Sequence, residues 1–330
     1  MNGSEAPKKP PLVSVVIPAY EAARYIAATL DSVLGQTFTG YEIIVVNDGS
    51  PDTEELEAAL APYRGLITYV LQENQGPAGA RNTGIRMARG EYVALLDADD
   101  LWDAGYLASQ LALLQADPSI DMVYADARMF GGLAEDGYTI MELRPSNGEV
   151  TFESLVTRRC TVPICVSLVR RQTLVDAGLF DPAFRGTEDL DMWLRIARRG
   201  AHITYQKQVL GSYRRRPGSL SADPARLIEG VMAVLAKAAQ DPKTTPAEME
   251  LIEQQCRLHR ARWAVEKGKQ AFLAGEDEAA IDYLTKANRH DRSVKLTLIL
   301  LLLRISPRLL RVAYRWRDRP AKPAQSGAIR

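Results

Sequence analysis

Glu91-Tyr92-Val93-Ala94-Leu95-Leu96-Asp97-Ala98-Asp99-Asp100 joins an apolar run to a cluster of carboxylates. Tyr92 to Leu96 reads as a buried strand, so the acids stand at its carboxyl end. So much charge beside a core is costly unless a cation shares it. Oxygen ligands on a sharp turn suit a hard divalent ion, Mg²⁺ or Mn²⁺, which in turn holds phosphate oxygens. The plain alternative is an acidic surface turn with an Asp capping the next helix.

Upstream, strand-like and helix-like segments alternate. Val13 to Ile17 reads as a buried strand ended by Pro18, and a helix is expected from about Glu21 to Leu34, with Gly35 after it. Ile43 to Val46 is a second strand, closing in Asn47-Asp48-Gly49-Ser50. A short helix over Thr53 to Leu60, a strand over Ile67 to Leu71 and a helix over Ala80 to Ala88, stopped by Gly90, complete the series. Such alternation predicts a parallel sheet covered by helices. Ligands of such sheets bind beyond the carboxyl ends of the strands. Pro18-Ala19-Tyr20-Glu21, Asp48 and Asp97 to Asp99 therefore converge on one crevice.

Further on, Met122 to Tyr124 and Val166 to Val169 read as strands, and Arg171 to Ala177 as a helix. Thr187 is placed to cap a helix running to about Arg199. Within that helix, Asp191 is spaced to pair with Arg195. Beyond about Asp223 only helical signals remain. Ala247 to Ala274 and Glu276 to Ala287 look like an antiparallel pair broken at Gly275, with the spacing of a single tetratricopeptide-like repeat.

Composition sets broad limits. The 330 residues carry no formal net charge, so bulk electrostatics point to neither nucleic acid nor membrane. The three cysteines, Cys160, Cys165 and Cys256, lack zinc spacing and fit free thiols in a reducing, cytoplasmic setting. His202, His259 and His290 are too scattered for a histidine metal site. Residues 1–11 read as a disordered lead-in.

Together the motifs resemble those of a family 2 glycosyltransferase of the GT-A fold. They are Val15-Val16-Ile17-Pro18-Ala19-Tyr20-Glu21, Val45-Val46-Asn47-Asp48-Gly49-Ser50, Gly79-Ala80-Arg81-Asn82-Thr83-Gly84, Leu96-Asp97-Ala98-Asp99-Asp100 and Thr187-Glu188-Asp189-Leu190-Asp191-Met192-Trp193-Leu194-Arg195. The resemblance implies a Rossmann-like sheet flanked by helices over residues 12–222, with a helical extension over 223–293. It implies inverting, metal-assisted transfer of one sugar from a nucleoside-diphosphate sugar, UDP-linked by preference, to a hydroxyl of a polysaccharide or lipid-linked glycan. Pro18, Tyr20 and Glu21 would border the nucleotide, and Asp48 would bond its base. Arg81 and Asn82 would lie beside the diphosphate. Asp97, Ala98 and Asp99 form the Asp-x-Asp element, with Asp97 near the ribose and Asp99, aided by Asp97, on a Mn²⁺ or Mg²⁺ ion. Asp189 would be the catalytic base, with Glu188 in reserve. A helix N-terminus would lower the pKa of Asp189 and weaken it as a base.

One departure from the family pattern stands out. Many relatives carry a His near the diphosphate or metal where this chain has Arg216, in Tyr213-Arg214-Arg215-Arg216. Arginine does not ligate a cation, so Arg216 is expected on the diphosphate itself. The tail, residues 294–330, combines the apolar run Leu296 to Leu303 with Arg304, Arg308, Arg311 and Arg315, and with Val312, Tyr314 and Trp316. It reads as a basic amphipathic anchor on the cytoplasmic face of an inner membrane, or as a helix packed on this chain or on a second copy. Two rival functions are a nucleotidyltransferase and a sugar-nucleotide-binding scaffold without catalysis. Against the first, this sequence lacks a Gly-rich, Lys-containing loop after strand one.

Overall fold

The computed structural model describes residues 10–132, 135–216, 218–219 and 222–311, without the side chains of residues 290 and 291. Most of the expected lead-in, and Val312, Tyr314, Arg315 and Trp316 of the tail, lie outside the described residues.

The elements in chain order begin with β1 (Val13–Ala19), α1 (Ile26–Leu34), β2 (Tyr41–Asp48), α2 (Thr53–Leu60), β3 (Thr68–Gln72), α3 (Gly76–Met87) and β4 (Tyr92–Leu95). There follow β5 (Leu101–Trp102), α4 (Tyr106–Ala116), β6 (Ile120–Phe130), α5 (Ile140–Leu143), α6 (Phe152–Val156), β7 (Ser167–Arg170), α7 (Arg171–Asp176), α8 (Glu188–Arg198) and β8 (His202–Arg214). Helices α9 (Pro224–Gln240), α10 (Pro246–Ala274), α11 (Asp277–Asp291) and α12 (Val294–Ile305) close the chain.

One sheet runs in the order β3-β2-β1-β4-β7-β6-β8-β5. The four strands expected to be parallel are so: β1 pairs with β2 and β4, and β2 with β3. The sheet as a whole is mixed, because β7 runs antiparallel to both β4 and β6 and β5 runs antiparallel to β8. All of β4, and β1 except Pro18, is buried, as expected of strands covered on both faces. Gly84 lets α3 lie directly on β1, since a Cβ there would stand 2.4 Å from Val16 Cγ1. Val16 is itself fully buried and has little room to move. Gly84→Ala is therefore expected to lower stability by about 1–3 kcal/mol despite its helix propensity, read as an earlier urea midpoint.

Two helices begin elsewhere than their sequence suggests. Helix α1 starts at Ile26, not near Glu21. Glu21 adopts a left-handed conformation (φ 50°), its N–H donates to Ser50 Oγ at 2.7 Å, and the Ala23 N–H donates to Asp52 Oδ2 at 3.0 Å. Side chains beyond β2 thus hold this segment in a turn. Helix α3 starts at Gly76 with Pro77 in its first turn, so Arg81 sits deeper in the helix than expected. Thr187 precedes α8 but makes no side-chain cap bond.

Chain contacts divide the protein into two compact units, Met1–Asp223 with Gly230–Gln255, and Pro224–Glu229 with Cys256–Arg330. In the second unit Gly275 (φ 87°) ends α10, and Trp263 meets Tyr283 of α11 edge to face at 5.7 Å.

Candidate active site

The parallel register brings the carboxyl ends of β1, β2 and β4 to one edge of the sheet. Asp48 closes β2 with its carboxylate held by Gln72 Nε2 at 2.7 Å and the Gln75 N–H at 2.9 Å. Pro18 and Tyr20 flank the same edge, and the Tyr20 side chain is exposed.

After β4 the chain turns through Asp97 to Asp100. Thr29 Oγ1 lies 2.9 Å from the carbonyl oxygens of both Ala98 and Asp100, pinning that turn to α1. Asp99 Oδ2 pairs with Arg216 Nε at 3.0 Å, and Arg214 Nε donates to the Asp99 carbonyl at 2.8 Å. Both guanidinium groups lie over the Tyr25 ring, at 4.8 Å for Arg214 and 5.4 Å for Arg216. Burial, followed by the charge of Asp97, raises the pKa of Asp99 despite Arg216.

Arg81 joins this turn to α8. It is buried, with one terminal nitrogen 2.5 Å from Asp97 Oδ1 and the other 2.6 Å from Glu188 Oε1. Burial opposes its charge, but Asp97 and Glu188 outweigh that penalty and hold the guanidinium protonated. Arg81, expected beside the diphosphate, is thus already engaged by two carboxylates. Glu188 is equally occupied, since its other oxygen accepts from the Gly186 N–H at 2.6 Å. That environment suits a positioning group better than a reserve base. Asn82 also departs from expectation. Its amide exchanges two hydrogen bonds with the Phe180 backbone, at 2.7 and 2.8 Å, and so fastens α3 to the segment before α8.

Asp189, beside Glu188, is crowded by protein yet still reached by solvent. Burial and then the charge of Glu188 push its carboxyl up to about 6, against the Leu190 N–H, Arg81 and Arg158. The helix-terminus effect expected to lower it is therefore overridden. Asp191 pairs with Arg195 as its spacing suggested, with Nε to Oδ2 at 2.9 Å, and also with Lys237.

Tyr25, Arg214 and Arg158 are additions that sequence reading passed over. The Tyr213-Arg214-Arg215-Arg216 run carried a signal for Arg214. Nothing local marks Tyr25 or Arg158.

A divalent cation fits these residues in part. Asp97 and Asp99 crowd each other, and each keeps one oxygen outside its arginine pair. No group of three or more His, Cys, Asp or Glu among the described residues could hold a metal. The pair therefore fits an ion that completes its shell with substrate phosphates and water, the habit of Mg²⁺ and its congeners.

Comparison with known proteins decides the family. The model "Glycosyl transferase family 2" matches residues 14–165. AmsB, an amylovoran biosynthesis glycosyltransferase of Erwinia amylovora, is 31% identical over 217 residues, 61% of this chain and 68% of AmsB. The chain belongs to glycosyltransferase family 2.

Other family relatives include an uncharacterized glycosyltransferase of Rickettsia felis, 32% identical over 61% of this chain but only 33% of that protein. The chain thus spans about a third of the length of that relative. The E. coli enzyme WfgD, named UDP-Glc:alpha-D-GlcNAc-diphosphoundecaprenol beta-1,3-glucosyltransferase, is 26% identical over 70% of this chain and 88% of WfgD. Among solved structures, S. aureus TarS 1-349 with UDP superposes with a TM-score of 0.58 at 19% identity, covering 94% of this chain and 93% of that one. The mannosyltransferase PcManGT of Pyrobaculum calidifontis, solved with GDP-Man and Mn²⁺, gives 0.59 at 23% identity over 95% and 89%. At such identities the likeness establishes the fold, which is GT-A.

Proposed function

We propose that this chain transfers a single sugar from a nucleoside-diphosphate sugar to a hydroxyl of a glycan or lipid-linked acceptor, with inversion. The carrying observation is Arg81, which ties Asp97 of the Asp-x-Asp turn to Glu188 and so sets Asp189 at the same crevice. WfgD is named for a UDP-sugar donor and a diphosphoundecaprenol-linked acceptor, which favours those classes here.

Pro18, Tyr20 and Glu21 border the nucleotide, and Asp48 stands at the end of β2 to accept from the base. Asp99, with Asp97, would hold a divalent cation, which when bound shares the negative charge gathering on the departing diphosphate. Asp189 accepts the proton of the attacking hydroxyl on the face opposite the leaving group. A carboxyl near 6 is mostly ionised at neutral pH and a stronger base than an ordinary Asp. Glu188 and Arg81 hold the start of α8 in place while it does so.

Arg216 is placed to leave Asp99 for the diphosphate. Arg216→Ala is expected to weaken nucleoside diphosphate binding by about ten- to a hundred-fold, since a charged hydrogen bond is worth about 1.5–3 kcal/mol. Calorimetric titration checks this. Tighter binding would instead mean that Arg216 competes with the cation for Asp99.

The direct test is binding and hydrolysis of UDP-, GDP- and dTDP-sugars with and without Mn²⁺, in the wild type and in Asp99→Ala. Metal-dependent turnover of one donor, lost in the variant, supports the reading. Absence of binding to every donor, with acceptor present, overturns it.

A further inference from the structure

Helix α12 is apolar on two opposite sides. On one, Leu296, Ile299, Leu300 and Leu303 pack on Phe272, Ala280 and Leu284 of the second unit. On the other, Val294, Leu298, Leu301, Leu302 and Ile305 are between 51% and 75% exposed. At helical spacing these five share an arc of about 100°. Lys295 borders that arc on one side and Arg304 on the other, and both are exposed. Beyond the break at Ser306, Arg308 and Leu309 are exposed too.

Charge singles out the same region. Residues 292–330 hold ten Lys or Arg against Asp318 alone, a net +9 within a chain of zero net charge. No helix among the described residues is long and apolar enough to cross a membrane. An apolar wedge with basic borders matches the two signals, acyl-chain burial and attraction to anionic headgroups, that hold a helix in the interface plane. A second copy docked through this stripe would set Lys295, Arg304 and Arg308 against the same three cations of its mate.

We propose that α12 seats this chain on an anionic bilayer surface, with Val294, Leu298, Leu301 and Ile305 among the acyl chains and Lys295, Arg304 and Arg308 at the headgroups. This does not rest on the proposed transfer reaction.

The test is co-sedimentation of the full chain with vesicles of phosphatidylcholine, alone or mixed with phosphatidylglycerol. The wild type is expected to pellet with the anionic vesicles about ten-fold more than with the neutral ones. Each of Lys295→Gln, Arg304→Gln and Arg308→Gln should weaken binding by up to about five-fold at low salt. Leu298→Asp with Ile305→Asp should abolish it. Both side chains face solvent, so the double variant should melt like the wild type and hydrolyse donor at the same rate, which separates this test from that of the reaction. Equal pelleting with neutral vesicles, or unchanged pelleting of the double variant, overturns the proposal. So does a dimer seen by light scattering without lipid and lost in that variant, which would assign the stripe to a second copy.

Discussion

Asp189→Asn is expected to lower turnover by about 10² to 10⁴, the usual worth of a general base. Donor binding should change little, because Arg81 and Glu188 keep their bond. The pH profile gives the sharper signature. In the wild type the carboxyl sits near 6, so kcat/KM should rise about ten-fold per pH unit below that value and level off above it. The variant should lose this limb along with its rate. Stability carries the opposite sign. A carboxyl raised by the fold favours the protonated form, so its contribution to stability is present below the ordinary Asp value and lost as pH rises through about 6. Asp189→Asn should therefore leave stability at neutral pH unchanged or slightly higher. A variant that unfolds more easily and keeps the acid limb would show Asp189 to be structural.

Arg81→Met should do more damage to the fold than any other substitution at the site. It leaves Glu188, and Asp97 in part, buried without a counter-charge. Breaking such a pair costs about 3–5 kcal/mol, and the partial exposure of Asp97 places this case toward the lower end. The urea midpoint should fall accordingly, and donor turnover should be lost with it. Arg81→Lys should recover only part of the stability, because one ammonium cannot span two carboxylates as the guanidinium fork does. Adding Glu188→Gln to Arg81→Met should restore part of the loss, and the double-mutant cycle reads their coupling. Additive effects of the two changes would mean that the bond does not join the two motifs.

Four parallel strands, their order along the chain and the shared edge at their carboxyl ends were legible because each expected strand is a mostly apolar run, interrupted only by Ser14 in the first and Thr68 in the third. The strand β8 was not. His202–Arg214 mixes Gln206, Lys207 and Gly211 with apolar residues, and its pairing with β6 is interrupted by bulges. Leu101–Trp102 pairs for only two residues, too short for any periodicity. At the site, residue types were readable but their partners were not. Arg81 and Asn82 stood out in the sequence. That one spans two carboxylates and the other grips the Phe180 backbone depends on contacts about a hundred positions away along the chain. The raised carboxyl of Asp189 likewise follows from burial and from Glu188, which no local pattern of charges could weigh against the helix terminus.

The bond between Arg81 and Glu188 spans 107 positions along the chain. A ribosome adding about 5–20 residues per second needs roughly 5–20 s to cover that distance. For most of this interval the growing polypeptide holds both Arg81 and Asp97, and it lacks the acid that completes their triad. The matched family segment, residues 14–165, also ends before that acid. Catalytic competence thus comes late in synthesis, and a product released before Glu188 is added would carry a donor-side wall without the proposed base.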